Sequence, residues 1–417
     1  MVNRKSLYYL LTALVLVIVN CFGCQLSSTS NRSLQITWQS PVPGQTVHGI
    51  VKLTVYVEEK NTTPVLFYLD TVDTEHLLGP VTITGGRYFS CDWYAQEVMN
   101  GEHKLWAVAG VVGSAGLTVI VENPPRTGSI PSGTVKMTPA NDPAPPRLMD
   151  AFKDTWQAPV PVEGPVNSAG AEDSPFITPD GNTMYFWYNS DQTKTVQEQV
   201  YDPMTGIHVA KKIDGKWQEP QRLFLQYFDK ISFDGAATVY GDTLWFAAIR
   251  EGNYRTVDMW TAQLLNGRWT NWENAGQLLN QAYEIGEVHI AAGGEEIYFN
   301  STRSGGKGQS DIWFTRRVGG IWQEPENIEA VNTGENEGQP FISADGTELW
   351  FTRNVGGAAV FRSLKVNGRW QAPEMVVASL AGEPTLDDAG NLYFVHHRWD
   401  TTLDRATEAD IYVCYRK

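Results

Sequence analysis

From residue 34 onward, the chain contains short stretches in which apolar and polar side chains alternate, separated by turn residues. The stretch 51–57 reads Val-Lys-Leu-Thr-Val-Tyr-Val, in which every second residue is apolar. This period of two puts the apolar side chains on one face of an extended strand. Several such stretches lie between residues 34 and 123, with turn signals such as Asn100-Gly101 between them. The pattern predicts an antiparallel β-sandwich at 34–123.

Residues 124–151 lack this alternation. The stretch 124–146 holds seven prolines together with glycine, serine and threonine, and its apolar residues follow no period. Proline fixes the backbone angle φ and cannot donate a backbone hydrogen bond, so this composition favours a semi-extended linker. We therefore predict a domain boundary here, with a second domain at 152–417.

The second domain contains an internal repeat of about 50 residues. An aromatic residue followed by Phe recurs five times, and the turn glycines that precede these pairs are 60, 53, 52 and 44 residues apart. A ladder of tryptophans runs beside them, with spacings of 61, 52, 53 and 48 residues. The glycines are Gly181, Gly241, Gly294, Gly346 and Gly390, and the tryptophans are Trp156, Trp217, Trp269, Trp322 and Trp370.

Each repeat divides into four short strands joined by tight turns. Radial repetition of four-stranded units leaves few exposed sheet edges, which is the arrangement of a β-propeller, so the repeat predicts five blades. After Trp370 the chain has 47 residues and ends where the next tryptophan strand should begin. Trp156 precedes the first turn glycine and is left over. We predict that residues 156–162 supply the outer strand of the last blade and close the ring.

Segments of both domains resemble modules of bacterial envelope proteins. The loop 301–313 and the strand-and-turn segments 175–181 and 340–346 are similar to the WD-like propeller repeats of such proteins, including the TolB-type propellers. The order of turns and strands in the sandwich resembles bacterial Ig-like modules, without the paired cysteines of antibody domains. The resemblance implies an all-β fold in which an Ig-like spacer precedes a five-bladed propeller. It implies no single activity, because the group includes binding and scaffold members.

The first 33 residues follow the plan of an export signal. Arg4 and Lys5 precede an apolar run of 13 residues at 7–19, and this run is shorter than the roughly 20 that span a bilayer. Gly23-Cys24 resembles the bacterial lipoprotein cleavage box, which implies a signal peptide at 1–23, lipidation of Cys24 and a tether at 24–33. Ordinary secretion and a retained anchor are the alternatives. We expect a lipoprotein of the bacterial cell envelope.

Charge and cysteine usage exclude several partners. The chain has 47 acidic against 32 basic side chains, and the resulting net charge of −15 has the wrong sign for binding nucleic acid or anionic lipid. We expect membrane contact through a lipid anchor only. Cys91 and Cys414 fall in different predicted domains, which favours two packed thiols rather than a disulfide or a zinc site.

Motifs for cofactors and nucleophilic catalysis are missing. The sequence has no glycine-rich phosphate loop, no metal-binding spacing of cysteine and histidine and no nucleophile elbow. We therefore predict no cofactor and no metal site, although calcium could enter a carboxylate-lined channel. His396 and His397 are expected to flank the end of a strand.

The repeat points to one candidate site. Inner strands line the central channel of a propeller, so equivalent inner-strand positions form a ring. Alignment on the turn glycines places in this ring Ser174, Asp234, Glu287, Gln339 and Glu383. Asp234, Glu287 and Glu383 are catalytic candidates if the protein hydrolyses glycosides, because that chemistry uses paired carboxylates. The simpler interpretation is that these polar groups hydrogen-bond to neighbouring backbone.

Four arginines follow the second strands of the repeats: Arg250, Arg303, Arg353 and Arg398. Asp258, Asp311 and Asp410 open the strands that come next. Arginine beside a repeated aspartate favours ion pairs within a blade. The alternative is that these arginines, together with Ser174 and Gln339, form a polar rim that binds a ligand.

These observations lead to three hypotheses of function. The first is a lipoprotein whose propeller binds an extracellular glycan or an envelope protein without catalysis. The second is a glycoside hydrolase that uses the three carboxylates of the ring. The third is a scaffold within an envelope complex.

Overall fold

The computed structural model describes residues 35–417 apart from 59–63, 74–75, 79–81, 85, 203, 226–231, 266, 281–284, 292 and 401–404. The predicted signal peptide, the tether and Cys24 lie outside the described residues. The described chain is almost entirely β-structure, as the alternation predicts. Within these ranges, no helix is both long enough and apolar enough to cross a bilayer.

The N-terminal unit is a sandwich of two sheets. Its strands are β1 (Ile36–Ser40), β2 (Thr46–Val47), β3 (Ile50–Val57), β4 (Val65–Leu69), β5 (Leu77–Leu78), β6 (Thr82–Thr84), β7 (Tyr88–Tyr94), β8 (Gly101–Ala109), β9 (Val112–Gly113) and β10 (Leu117–Val121). One sheet has the order β1-β3-β7-β6, and the other has the order β2-β10-β8-β4-β5 with β9 beside β8. A short 3₁₀ helix covers Ala95–Glu97.

The alternation in β3 places every second side chain in the sandwich core. Val51, Leu53, Val55 and Val57 are buried, while the residues between them are partly or fully exposed. They pack with aromatic side chains such as Phe67. Cys91 is a buried thiol here, and Cys414 is a buried thiol in the second unit.

The chain between the sandwich and the propeller is irregular, as its prolines predict. It contains 3₁₀ turns at Arg126–Ser129, Asp150–Phe152 and Gly164–Val166, and two short strands, β11 (Arg147–Leu148) and β12 (Val160–Pro161). Both strands add to blades of the propeller.

The propeller has five blades within the described residues, each built from antiparallel strands in sequence order. Blade 1 is β13 (Ala171–Ile177), β14 (Thr183–Asn189), β15 (Gly206–Ile213), β16 (Lys216–Trp217) and β17 (Gln221–Arg222). Blade 2 is β18 (Ser232–Tyr240), β19 (Thr243–Arg250), β20 (Asp258–Leu265) and β21 (Arg268–Asn274). Blade 3 is β22 (Ile285–Ile290), β23 (Glu296–Ser301), β24 (Asp311–Val318), β25 (Ile321–Trp322) and β26 (Glu326–Asn327).

Blade 4 is β27 (Glu337–Ile342), β28 (Glu348–Asn354), β29 (Ala358–Val366), β30 (Arg369–Trp370) and β31 (Glu374–Ala378). Blade 5 is β32 (Ala381–Leu386), β33 (Leu392–Asp400) and β34 (Arg405–Cys414), with β12 as its outer strand. Two short helices lie between strands, α1 (Val196–Val200) in blade 1 and α2 (Gln277–Asn280) after blade 2.

The predicted closure of the ring is confirmed. Strand β12 pairs antiparallel with β34, and Trp156 forms a bridge with Arg416. The Trp156 indole Nε1 donates to the carbonyl of Gly390 at 2.9 Å. A segment that precedes blade 1 in the sequence therefore completes blade 5.

The two aromatic ladders pack against each other between blades. An outer-strand tryptophan of one blade contacts the second-strand aromatic residue of the preceding blade. The ring centroids lie 5.7 Å apart for Trp156 with Trp350, 6.4 Å for Trp370 with Tyr298 and 6.3 Å for Trp322 with Trp245. These three tryptophans therefore pack in the core between blades.

Candidate functional site

Each inner strand of the propeller carries a β-bulge at the same place. The pairing with the second strand shifts between Asp173 and Phe176 in blade 1, and equivalent shifts occur in the other four described blades. At four of these bulges the residue is in the left-handed region, with φ of 49° at Ser174, 49° at Ala236, 47° at Gln339 and 57° at Glu383. Backbone of this kind is costly for residues other than glycine and is concentrated at functional sites.

The bulges bring one side chain from each blade to a common cavity of about 30 Å³ in the central channel. Ser174, Glu287, Gln339 and Glu383 line it, together with Ala236. Four of the five ring residues expected from the sequence are therefore neighbours. A cavity of this volume holds about one water molecule.

Asp234 is the exception, and its predicted place in the ring is wrong. The ring position of blade 2 belongs to Ala236, two residues later. Asp234 is buried, and its carboxylate accepts the Ser232 hydroxyl and forms an ion pair with Arg250 at 2.5 Å. In blade 2 the turn glycine Gly241 directly follows the inner strand, whereas in the other blades the turn glycine comes four residues after the strand ends. Alignment on the turn glycines therefore selected a residue that lies two positions too early.

Aromatic side chains fill the channel two residues further along the inner strands. The ring centroid of His289 lies 5.8 Å from that of Phe176 and 4.3 Å from that of Phe341. Burial lowers the pKa of His289 to about 3, so the imidazole is neutral, and its Nδ1 accepts the backbone N–H of Ile342 at 3.2 Å. Phe176, His289 and Phe341 therefore lie together next to the ring, with Thr238 and Thr385 at the equivalent positions of blades 2 and 5.

A histidine and an aspartate that the sequence did not connect lie beside this ring. His397 Nε2 is 3.3 Å from Asp173 Oδ1, and the Ser174 backbone N–H donates to the same oxygen at 3.0 Å. Burial would raise the pKa of Asp173, but the charge and hydrogen bond of His397 outweigh it and the pKa is lowered. Burial would lower the pKa of His397, yet Asp173 raises it above its ordinary value.

Burial disfavours the charged forms of the two glutamates of the ring. Burial, with the charge of Asp173, raises the pKa of Glu287 to about 7, although the Ser174 hydroxyl donates to its Oε1 at 2.8 Å. Burial and the charges of Asp173 and Glu287 raise the pKa of Glu383 well above its ordinary value. Carboxyl groups that lie this close share protons instead of ionising together.

Second-strand side chains hold the bulged backbone in place. Asn300 Oδ1 accepts the backbone N–H groups of Glu287 at 3.1 Å and Gln339 at 3.4 Å. Thr352 Oγ1 accepts the backbone N–H of Glu383 at 2.8 Å. These supporting residues have no motif of their own and were missed by the sequence analysis.

Three of the four predicted rim arginines are buried and therefore unsuited to contact a ligand. Arg353 pairs with Glu337 at 2.7 Å, and Arg250 pairs with Asp234 at 2.5 Å. Arg303 is 9% exposed and stacks on Phe299 and Trp313. Arg398 is the more exposed member and lies 4.0 Å from Glu408. Ion pairs within blades are thus present, with Asp234 and Glu337 of the inner strands as partners of two arginines.

The three aspartates expected beside these arginines have other contacts. Asp258 accepts backbone N–H groups of Tyr254 and Arg255, and Asp311 accepts those of Lys307 and Gly308. The Asp410 carboxylate is 3.1 Å from Lys136 Nζ.

Lys136 belongs to a segment that packs on the propeller, residues 126–148, which we term the strap. Arg126 is fully buried, pairs with Glu172 of blade 1 and donates to the carbonyls of Pro165 at 2.7 Å and Val166 at 2.6 Å. Both carboxylate oxygens of Glu408 in blade 5 accept the Met137 backbone N–H, at 2.6 and 2.7 Å. The strap ends in β11, which pairs with β31 of blade 4. The predicted linker is therefore partly a docked element.

A second cavity of about 190 Å³ lies where the strap meets blades 1 and 5. Thr134 and Thr193 are exposed, so this cavity, the strap cavity, is open to solvent. Most of its side chains are hydroxyl, carboxamide or carboxylate groups. Its lining residues are Pro131, Thr134, Ala169, Gly170, Ser190, Asp191, Gln192, Thr193 and Thr407.

Comparison with known proteins identifies no family. No family model matches the chain, and no curated protein matches it. Among solved structures, an endo-β-1,4-mannanase from Thermotoga petrophila is 14% identical over 23% of this chain and 21% of its own, with a TM-score of 0.20. A gluconolactonase from Xanthomonas campestris is 11% identical over 68% of this chain and 99% of its own, with a TM-score of 0.37.

An α-L-arabinofuranosidase from Podospora anserina is 10% identical over 63% of this chain and 98% of its own, also with a TM-score of 0.37. The match to the mannanase spans about a fifth of that enzyme. Scores this low carry no argument, so the fold rests on the strand pairing and the function on the sites themselves.

Proposed function

We propose that this protein binds a glycan without transforming it and that the strap cavity receives one sugar residue. The observation that carries the proposal is the lining of this cavity. Three threonines, a serine, Gln192 and Asp191 are among the residues that line a space of about 190 Å³. Such groups donate and accept hydrogen bonds, as sugar hydroxyls do.

The size of the strap cavity supports a small polar ligand. Pockets for drug-sized molecules begin at roughly 300 Å³. The strap cavity is smaller, which suits a single sugar residue at the end of a chain better than a nucleotide-sized cofactor. The net charge of −15 disfavours a strongly anionic polymer as the ligand.

Glycoside hydrolysis is less well supported. A hydrolase needs two carboxyl groups on either side of a bound sugar, about 5–10 Å apart. The ring cavity of about 30 Å³ leaves no room for a sugar between Glu287 and Glu383. Asp234, the third candidate, is committed to its ion pair with Arg250.

The place of action that we propose is the bacterial cell envelope. Lipidation of Cys24 would anchor the chain, and the sandwich would act as a spacer that carries the propeller away from the membrane. This part of the proposal rests on the N-terminal sequence. An envelope protein is the competing ligand, and a scaffold role would follow if such a protein remained bound during purification.

The proposal is tested by screening the purified protein on an array of defined oligosaccharides and titrating the best ligand by calorimetry. We expect saturable binding that Gln192→Trp, which fills the strap cavity, weakens at least tenfold. Gln323→Trp is the matched control, because Gln323 is exposed on blade 3 and donates only to the nearby carbonyl of Ile321. Binding to no oligosaccharide, or equal binding by both variants, would show that the proposal is wrong.

A further inference from the structure

The propeller repeat is broken at one position beside the ring. The residue before the ring residue is glycine in four blades: Gly235, Gly286, Gly338 and Gly382. A Cβ atom at Gly235 would lie 3.4 Å from Trp187 of the preceding blade, and one at Gly382 would lie 3.1 Å from Thr352 of the preceding blade. At Gly235, Gly338 and Gly382 a side chain would thus point toward the second strand of the blade before it, whereas at Gly286 it would meet Asn300 of its own blade. Blade 1 alone of the five described blades has a side chain here, Asp173.

The group that Asp173 meets is equally distinctive. The blade before blade 1 is blade 5, and its second strand presents His397, whose Nε2 lies 3.3 Å from Asp173 Oδ1. Glu383, the ring residue of blade 5, completes a group of three. One ligand atom from each of Asp173, Glu383 and His397 lies within 4.8 Å of the other two.

One oxygen of the Glu383 carboxyl group has unused hydrogen-bonding capacity, although the carboxyl group also interacts with Asp173 and Ser174. Glu383 Oε2 is inaccessible to solvent and has no hydrogen-bond partner within the described part of the chain. A buried polar atom without a partner costs roughly 1–3 kcal/mol and calls for an explanation. Metal binding would require Glu383 and His397 to release their protons, and the two carboxylates would then offset the charge of the cation.

We propose that Asp173, Glu383 and His397 bind one divalent cation. The separation of 3.3 Å between His397 Nε2 and Asp173 Oδ1 fits two ligands of one ion, because atoms about 2.1 Å from a metal at tetrahedral or octahedral angles are about 3.0–3.4 Å apart. One imidazole with two carboxylates suits Zn²⁺ or Mn²⁺. Calcium takes 6–8 oxygen ligands and no imidazole, so this group does not fit it.

Such an ion would join the first blade to the last. Asp173 lies on β13 of blade 1, while Glu383 and His397 lie on β32 and β33 of blade 5. Between these blades the described strand pairing is limited to Ala171 with Ala409, and the Asp388 backbone N–H donates to the carbonyl of Pro179 at 2.8 Å. The ion would therefore reinforce the junction at which the ring closes. This inference does not depend on the glycan proposal, because none of its three ligands lines the strap cavity.

The test measures metal binding directly. Tag-free protein is stripped with a chelator and titrated separately with Zn²⁺, Mn²⁺ and Ca²⁺ by calorimetry, and thermal unfolding is followed with and without each ion. We expect one equivalent of Zn²⁺ or Mn²⁺ to bind with a dissociation constant at or below the micromolar range and to raise the unfolding temperature. Glu383→Gln and His397→Gln should each weaken binding at least tenfold.

The matched control is His103→Gln in the sandwich. His103 Nδ1 lies 2.9 Å from Asp70 Oδ2, a histidine–aspartate pair to which no third ligand is assigned in the described structure. Binding should be unchanged in this variant. The inference is wrong if neither Zn²⁺ nor Mn²⁺ binds stoichiometrically to folded protein, if Ca²⁺ alone binds, or if Glu383→Gln and His397→Gln bind as tightly as the parent protein.

Discussion

Trp156 lies edge-on against Trp350, with ring centroids 5.7 Å apart and ring planes at 87°. The two residues are almost 200 positions apart in the sequence. Trp156 belongs to the segment that completes blade 5, and Trp350 belongs to blade 4. Their contact fixes the N-terminal end of the ring in the interface between the last two blades.

We predict that Trp156→Ala lowers the free energy of unfolding by about 3–5 kcal/mol, because it leaves a cavity between blades and removes the hydrogen bond to Gly390. Chemical denaturation measures this change. Trp399→Ala is the control, because Trp399 is 44% exposed and should change stability by less than about 0.5 kcal/mol. Equal effects of the two substitutions would contradict the closure described above.

Arg126 provides a test of the strap. We predict that Arg126→Met costs about 3–5 kcal/mol, because it leaves the fully buried Glu172 without its cation. The double variant with Glu172→Gln should recover much of this loss, since the uncompensated charge is then gone. Hydrogen exchange should show faster exchange in residues 126–148 of the single variant. Loss of stability without this local change would contradict docking of the strap through Arg126.

Substitution of Asp234 tests whether this residue stabilises the fold or takes part in the ligand site. Asp234→Ala leaves Arg250 buried without its ion-pair partner, and we predict a loss of stability of about 3–5 kcal/mol. Folded variant should bind the same oligosaccharide with unchanged affinity in the calorimetric titration. A loss of binding with unchanged stability would indicate instead that Asp234 takes part in the ligand site.

The raised pKa of Asp410 predicts that the stability of the folded protein depends on pH. Burial raises its pKa to about 7, although Lys136 lowers it, so the folded protein binds more protons than the unfolded chain between about pH 4 and 7. The free energy of unfolding therefore decreases as the pH rises through this window, by at most about 1.4 kcal/mol per pH unit from this group. Denaturation at several pH values should give a shallower slope for Asp410→Asn.

The matched control for this slope is Asp345→Asn. Asp345 is exposed, and hydrogen bonds from Ser343 and Thr347 lower its pKa, so it titrates below the window. Its slope between pH 4.5 and 7 should equal that of the parent protein. If Asp410→Asn leaves the slope unchanged as well, other groups control the pH response.

The architecture was predictable because propeller blades bury the same positions in every repeat. Packing of Trp322 on Trp245 and of Trp370 on Tyr298 requires aromatic residues at fixed spacing, and such spacing is visible in one sequence. The closing segment could be inferred because Trp156 precedes the first repeat, so it could not belong to an outer strand of that repeat.

The site was less predictable because it depends on departures from the repeat. Asp173 and His397 are 224 residues apart, and neither belongs to a motif. Their contact follows from two facts that a sequence does not display: which blade adjoins which, and where the bulge turns a side chain. Alignment of the repeats on the glycine that precedes each ring residue would have identified Asp173, because blade 1 has aspartate where the other blades have glycine.

The docking of the strap on the propeller could not be predicted for a different reason. Proline-rich composition predicts the backbone conformation correctly but says nothing about whether such a segment is held by neighbours. Single polar contacts, such as that of Met137 with Glu408, fix the strap, and they leave no periodic signal.

Arg126 also determines how mechanical load would enter the propeller. Strand β10 ends at Val121, so only four residues separate the sandwich from the buried guanidinium. Four extended residues reach at most about 14 Å. If the chain is anchored at its N-terminus as proposed, tension would reach blade 1 through Arg126 and its ion pair with Glu172 before it could pull on β12. The closing strand would be shielded from force, and a ligand held on the propeller could be pulled without opening the ring.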